Sequence, residues 1–460
     1  MQNDILRLIK DLKHIRRDTV PGGMILVLDN GALIGSEAEA MLQALFSRDP
    51  RSVFEHLEIV AEKGAEKFMD VFYVGYGHKS IGDCGSGTIF IEGVSMLAAK
   101  AIQDWLLYRG QEVSTRYVDF SKQPFFDPLD SNLSRRMLAD LRAFYIRAGD
   151  PLREDLKRRF PIGEGEKESV YEKAIAARSF DILRSFLPAG ARTSLSWHTD
   201  LRQAADKLML LRHHPLAEVR EIAEAIESAL EEKYPGSFLH ERFEATENYN
   251  KDWMDHMYFD TCPEMLLRNP DTIVFRNRIE ETELSEWKHF LETRPPKTEL
   301  PKAIAQCGTM KFNFFLDFGS YRDIQRHRAV AQRMPLLSTK YGFESWYLSE
   351  LPASLRTEAE KLLADHKKKL EGTFQRPEIL QYYVPMGYRV SNQISGDLPA
   401  LVYLAELRAT RFVHPTLQKR AHQIADILTK KFGKYGLKLY IDSEIGRFDI
   451  RRGEQDIVKK

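Results

Sequence analysis

The sequence predicts a mixed α/β fold (α+β) made of two homologous lobes in tandem, each a small sheet flanked by helices. Three observations predict it. First, Phe312-Asn313-Phe314-Phe315-Leu316-Asp317-Phe318 leads through Gly319-Ser320 to Ile324-Gln325-Arg326-His327-Arg328 and then Ser338-Thr339-Lys340-Tyr341. Second, an eroded copy lies in the first half: Thr88-Ile89-Phe90-Ile91-Glu92-Gly93 leads to Ile102-Gln103, then Tyr108-Arg109, then Ser114-Thr115-Arg116-Tyr117. Third, a later landmark recurs at matched separation, 24 residues from Pro188 to Arg212 and 23 from Pro385 to Arg408. Recurrence of order and spacing is the signature of an internal repeat.

In chain order, residues 1–35 read as an N-terminal extension with a turn at Pro21-Gly22-Gly23. Ser36 is placed to cap a helix through Phe46, with Glu37 and Glu39 in a first turn where the dipole favours carboxylates. Val53, Leu57 and Val60 fall at helical spacing. Thr88–Glu92 reads as a strand, and Val94 to Leu107 as an Ala- and Leu-rich helix. Polar helical segments follow, with a linker at Gly163–Glu168. Pro188-Ala189-Gly190 opens a turn and a short strand, and helices over 201–212 and 216–233 end at Tyr234-Pro235-Gly236. The second half repeats that ending. Tyr382–Ser391 parallels the Pro188 segment, and helices over 398–410 and 415–431 parallel the earlier pair. The expected division is an extension (1–35), a first repeat (36–240) and a second (241–460).

Composition bounds the rest. A chain of 460 residues exceeds one ordinary core. Lys+Arg and Asp+Glu are both 67, which argues against a broadly basic nucleic-acid or membrane surface. Three scattered cysteines, Cys84, Cys262 and Cys307, fit neither a zinc pattern nor a disulfide framework. No secretion signal opens the sequence and no apolar run reaches membrane length, so a cytoplasmic protein is expected.

Several polar groups carry candidate chemistry, each with a plainer reading beside it. Arg326, His327 and Arg328 offer two planar cationic forks suited to phosphate and a ring between them; the plainer reading is a solvated helix end. Ser114 with Arg116, and Ser338 with Lys340, pair a hydroxyl with a cation, as a nucleotide phosphate requires; alternatively these are loops in which the tyrosine packs. Gln103 and Gln325 sit at matched places between these groups. Arg212 and Arg408 close matched helices, as basic residues often do, or point at an anionic ring. His78 and Ser80 lie in a glycine-rich turn. Cys84 lacks an adjacent base and reads as an inert thiol.

This order of motifs resembles the flavin-dependent thymidylate synthases, over roughly residues 50–235 and 260–432. The resemblance implies an α/β fold with FAD and dUMP bound where subunits meet, and a homodimer recreating four lobes. It implies that Arg326, His327 and Arg328 contact FAD, with His78 and Ser80 near the flavin. It implies that Ser114 and Arg116, or Ser338 and Lys340, hold the nucleotide phosphate. Arg212 or Arg408 would match the ring-polarising, catalytic arginine. Departures are visible: Leu107-Tyr108-Arg109 stands for the triplet in the first half, the Gly319–Gln325 spacing is four residues shorter than Gly93–Gln103, and an expected asparagine is Lys207 or Tyr403. The expectation is an enzyme with one hybrid site per chain. The second repeat would supply the flavin side and the first the nucleotide side, for reductive C5 methylation of dUMP with methylene-tetrahydrofolate and NADPH. Two alternatives stay open: another pyrimidine nucleotide as substrate, or an inactive nucleotide- or flavin-binding scaffold.

Overall fold

The structure, a computed structural model, describes residues 14–19, 22–28, 35–49, 56, 59–60, 62–75, 79–115, 118–238, 241–258, 262–373 and 375–442. By internal contacts the chain forms two compact units, Met1–Val118 with Arg192–His256, and Asp119–Ala191 with Met257–Lys460. The strands are β1 (His14–Asp18), β2 (Met24–Leu28), β3 (Ser86–Ser95), β4 (Arg192–Asp200), β5 (Val274–Asn277), β6 (Thr309–Asp317), β7 (Ala331–Arg333) and β8 (Arg389–Asp397). The helices used below are α1 (Ser36–Phe46), α2 (Met96–Gln103), α3 (Asn132–Arg159), α4 (Glu168–Leu183), α5 (Leu201–Leu211), α6 (Ala217–Lys233), α7 (Glu244–Met257), α8 (Phe318–Ile324), α9 (Ala353–Thr373), α10 (Leu398–Arg408) and α11 (Pro415–Phe432).

The first unit holds an antiparallel sheet of order β1-β2-β3-β4. Alternation places Ile89 and Ile91 inward on β3 and Leu195 and Trp197 inward on β4, as a half-covered sheet requires. Helix α6 buries Val219, Ile222, Ala223, Ile226 and Leu230, a stripe at the 3.6-residue period, and packs on β1 and β2. The segment 109–113 runs beside β4, with Ser196 N–H donating to Gln111 O and His198 N–H to Arg109 O. The expected extension is therefore corrected. Its described residues supply two sheet strands joined at Gly22-Gly23, because alternating Ile25 and Val27 bury completely. Ser36 is also not the cap. Gly35 takes that place, and the Ser36 hydroxyl donates to Ser86 O at 2.5 Å.

The second unit holds a sheet of order β5-β6-β8-β7, again antiparallel. Here the middle strand is more deeply covered: Phe312, Phe314, Phe315 and Leu316 are all buried. Helix α11 closes one face through Leu417, Ala421, Ile424, Leu428 and Phe432. Helices α3, α4 and α9 belong to this unit, tied by Arg147 to Glu358 and Lys369 to Asp140. The two expected turn segments pair with each other inside it: Pro188 lies opposite Pro385, Ala189 N–H donates to Val384 O, and Met386 N–H donates to Leu187 O.

Strand order repeats between the sheets. β2, β3, β4 and the 109–113 segment correspond to β5, β6, β8 and β7. The junction from middle strand to helix repeats more closely still. Ser95 caps α2 by accepting from Ala98 N, and Asp317 caps α8 by accepting from Ser320 N. Each cap is gripped by the second residue of a later helix. Glu218 of α6 accepts from Ser95 N and Oγ at 2.7 and 2.5 Å. Thr416 of α11 donates to Asp317 at 2.7 Å. The acid and the hydroxyl have exchanged sides.

That junction corrects the four-residue spacing difference read from the glycines. Gly93 sits in a β-bulge of β3 at φ 67°, where a Cβ would lie 1.9 Å from Gly22 O, so only glycine fits there. Gly319 lies inside α8 and is not its counterpart. Counted from the caps, Gln103 and Gln325 are both eight residues on, and the spacings agree.

Replacing Glu218 by alanine leaves the buried Ser95 groups without their acceptor and should cost about 1–3 kcal/mol in urea unfolding. The double change Ser95→Asp with Glu218→Thr copies the second unit's pair. It should be less damaging than the two single changes summed; strict additivity would show that the two sites do not interact.

Candidate functional site

The turn after α8 gathers the cations. The helix ends at Ile324 with Gln325 as its C-cap, and Arg322 and Gln325 are buried. Arg326 projects outward with 60% of its side chain exposed, His327 turns in, and Arg328 is half-buried. The Gln332 amide of β7 donates to Ile324 O and His327 O, fixing the turn to the sheet. From α10, Arg408 Nε donates to His327 Nε2 at 2.7 Å, and the Tyr403 ring meets the imidazole edge-on. Two candidates separated by 81 residues are thus in direct contact.

Electrostatics make this turn short of negative charge. Burial would raise the Asp323 carboxyl, yet Arg184, Arg326, Arg408 and Arg322 together hold it below its ordinary value. Burial, helped by Arg408 and opposed by Asp323, pushes His327 down to about 3. Burial also lowers Arg408. Four guanidiniums bear on the Asp323 carboxylate, one of them, Arg184, also paired with Asp181 at 3.7 Å, and a turn so rich in cations suits an anion. Tyr403, Leu407 and Phe412 are exposed apolar residues on α10 and the turn after it.

Sequence reasoning missed the polar cluster beneath α8. Asp317 accepts from Tyr347 Oη and Thr416 Oγ1, both at 2.7 Å, while Ser320 Oγ lies 3.2 Å from His414 Nδ1. Burial raises the Asp317 carboxyl. The overlooked signal is a repeated His-Pro dipeptide, His214-Pro215 and His414-Pro415. In each, the histidine Nδ1 accepts the N–H two residues on, which starts α6 or α11.

Counted from the caps, the first-unit counterpart of the triplet is Asp104-Trp105-Leu106 and not Leu107-Tyr108-Arg109. The geometry agrees. Trp105 Nε1 donates to Gln203 of α5, and Lys207 Nζ donates to Asp104 O while lying 5.6 Å from the Trp105 ring centre. A ring with a cation from the crossing helix occurs in both units, but Arg326 has become an aspartate and Arg328 a leucine. Tyr108 and Arg109 instead bind β4, through Ser196 O and Asp200. Gln103 belongs to a buried clamp: Lys100 Nζ donates to Gln103 Oε1 and to Glu112, and Gln103 Nε2 donates to Glu112.

The remaining candidates are dispersed. Arg212 lines a cavity of about 250 Å³ with Tyr73, Arg202 and Phe238. Its Nε and Nη2 bind Glu247 of α7, and its Nη1 binds Glu227 at 3.0 Å. His213 also reaches Glu247. Ser114 is exposed, and Ser80 is exposed in a short helix where its carbonyl accepts from Cys84 Sγ. Burial raises the Cys84 thiol, in keeping with an inert cysteine. Ser338 accepts from Lys340 N, and the Lys340 ammonium lies over the Tyr341 ring. His78 and Arg116 lie outside the described residues. Among those described, no His/Cys/Asp/Glu group could hold a metal and no helix is long and apolar enough to cross a membrane.

These features define a mixed α/β protein with two four-stranded antiparallel sheets flanked by helices and a cation-rich turn at the end of one strand–helix unit. Residues 29–236 match the family model described as "Thymidylate synthase complementing protein", a similarity that lies in the first half of the chain. Relatives described as "UPF0159 protein" are known from Chlamydia muridarum (24% identical, covering 85% of this chain and 84% of the relative) and Thermoplasma acidophilum (24%, covering 84% and 90%). A Chlamydia pneumoniae relative is 25% identical, covering 85% and 84%.

Arg212, followed by His213, pulls the Glu247 carboxyl against desolvation from an ordinary 4.5 to about 2. A depressed carboxyl contributes stability that is present above its unfolded value and lost as pH falls through the folded one. Glu247→Gln should therefore flatten the stability profile between pH 4.5 and about 2, followed by denaturant midpoints. An unchanged slope there would refute the pairing.

Proposed function

We propose that the chain is an FAD-dependent enzyme for reductive C5 methylation of a uracil nucleotide, dUMP to dTMP, using methylene-tetrahydrofolate and NADPH. The observation that carries this reading is the arginine excess around Asp323, taken together with the family match of the first half. The recurring strand order and exchanged caps support descent of residues 36–240 and 241–460 from one duplicated unit, with a homodimer as the assembly. The donors fit FAD. Arg326 and Arg328 are planar, permanently charged groups suited to its pyrophosphate. His327 would orient it, and exposed Tyr403 and Leu407 offer apolar surface to a ring. Bound there, the flavin would supply the reducing hydride. Arg326 and Arg328 bind and orient, and Tyr403 and Leu407 exclude water.

A specific observation favours a second reading. Arg212 is neutralised by Glu247 and Glu227, and Arg408 is engaged with His327. In this arrangement Arg212 is not available to polarise a pyrimidine carbonyl, the role that would stabilise charge as C5 becomes nucleophilic, and Arg408 has its Nε committed to the imidazole. Under this reading the chain binds flavin or nucleotide without methylating it, or acts on another pyrimidine nucleotide.

One experiment separates these readings. Purified protein supplied with FAD should retain flavin absorbance, and Arg326→Ala should lose it. Tritium release from C5-labelled dUMP marks methylation, and release from labelled UMP alone marks the other substrate. Flavin retention with no release from either favours binding alone. Equal retention by wild type and Arg326→Ala would overturn the flavin assignment.

A further inference from the structure

The contact between Arg408 and His327 says more than that the two are neighbours. A guanidinium carries only donors, so the imidazole nitrogen 2.7 Å from Arg408 Nε must present its lone pair. A neutral imidazole has one N–H, and the hydrogen bond at one nitrogen decides where the proton sits. We infer that Arg408 is a positioning residue that holds His327 as the Nδ1–H tautomer, so that the ring offers a hydrogen-bond donor to the anionic or carbonyl oxygen of a bound cofactor. This rests on the flavin-site reading for the ligand, though not for the tautomer.

Several features converge on that arrangement. Gln332 binds the His327 carbonyl at 2.9 Å, so the backbone is fixed independently of the ring. Tyr403, five residues before Arg408 on α10, lies edge-on to the imidazole with centroids 5.8 Å apart and limits its rotation. Among the described residues Nδ1 has no protein partner, so its proton is left for a ligand. The charged and titratable groups facing the ring are Arg408 and Tyr403 from α10 and Asp323 from α8, the last also 3.8 Å from the outward-pointing Arg326. Burial and Arg408 disfavour a second proton, and Asp323 opposes them without prevailing. His327 therefore differs from its flanking arginines in kind. They supply charge, and it supplies one directed N–H whose orientation depends on a helix 81 residues away.

The inference also accounts for Arg408 itself. The resemblance marks Arg408 as a candidate ring-polarising group, yet its Nε is spent on His327. Through that nitrogen its effect on a ligand passes by way of the imidazole.

The test is a long-range ¹H–¹⁵N correlation spectrum of the full-length protein, with the His327 signals identified by their loss in His327→Asn and His327→Gln. The wild type should show a neutral ring protonated at Nδ1. Arg408→Met should move it towards the Nε2–H form, whereas Arg408→Lys, which keeps a cationic donor, should retain Nδ1–H. For FAD, His327→Asn places an amide donor near Nδ1 and should bind close to wild type. His327→Gln places it near Nε2 and should bind about tenfold more weakly. A wild-type Nε2–H ring, or a tautomer unaltered in Arg408→Met, overturns the inference. Should Arg408→Met fail to fold, the wild-type spectrum and the Asn–Gln contrast still decide. No FAD binding by wild type, with an Nδ1–H ring that depends on Arg408, supports the positioning role and sinks the flavin reading instead.

Discussion

A strand that passes directly into a helix has one residue at which the backbone must stop bonding to neighbours in the sheet and begin bonding to itself. That residue's side chain has to satisfy the first free N–H groups of the helix. Ser95 and Asp317 do this in the two units, and each is held by a residue at the start of a later helix. The grip fixes helix phase, and phase decides which side chains stand at the far end. Buried, fully bonded caps of this kind are costly to disturb. This explains how an acid and a hydroxyl can exchange places while the junction persists.

From equal starting points the two units arrive at unlike ends. In the second, the residues past the helix are Arg326, His327 and Arg328, with Arg322 and Arg408 beside them and Asp323 as their shared counter-charge. In the first, the same count arrives at Asp104, Trp105 and Leu106, while Lys100 is consumed by Glu112 and Gln103. Lys207 is pushed down by burial to about 8, with Asp104 opposing. A ring supported by a cation from the crossing helix survives in both. Among the described residues, the cluster of guanidiniums around one carboxylate lies in the second unit, where the proposed flavin site is placed. Fold likeness alone does not assign activity to the other unit.

Much of the architecture was legible from periodicity and punctuation. The helices after Asp200 and Asp397, the Phe-rich strand and the turn segments at Pro188 and Pro385 stand where the pattern places them, because burial on one face imposes that pattern. Strands β1 and β2 escaped notice because each has only five residues. The register of the triplet was misread because Gly93 and Gly319 look alike in sequence, although one serves a bulge and the other a helix. Side-chain partners were the least legible part. Nothing in the order of residues shows that Arg212 meets Glu247 and Glu227, or that Arg408 meets His327, since each contact joins segments brought together only by folding.

The claim that matters most is that recognition charge survives on one side only. Equilibrium titration of the full-length protein with FAD, followed by flavin fluorescence, measures it directly. The account predicts saturation at one FAD per chain, with affinity falling as salt rises because guanidiniums meet phosphate. Saturation at two per chain, or binding indifferent to salt, would contradict it.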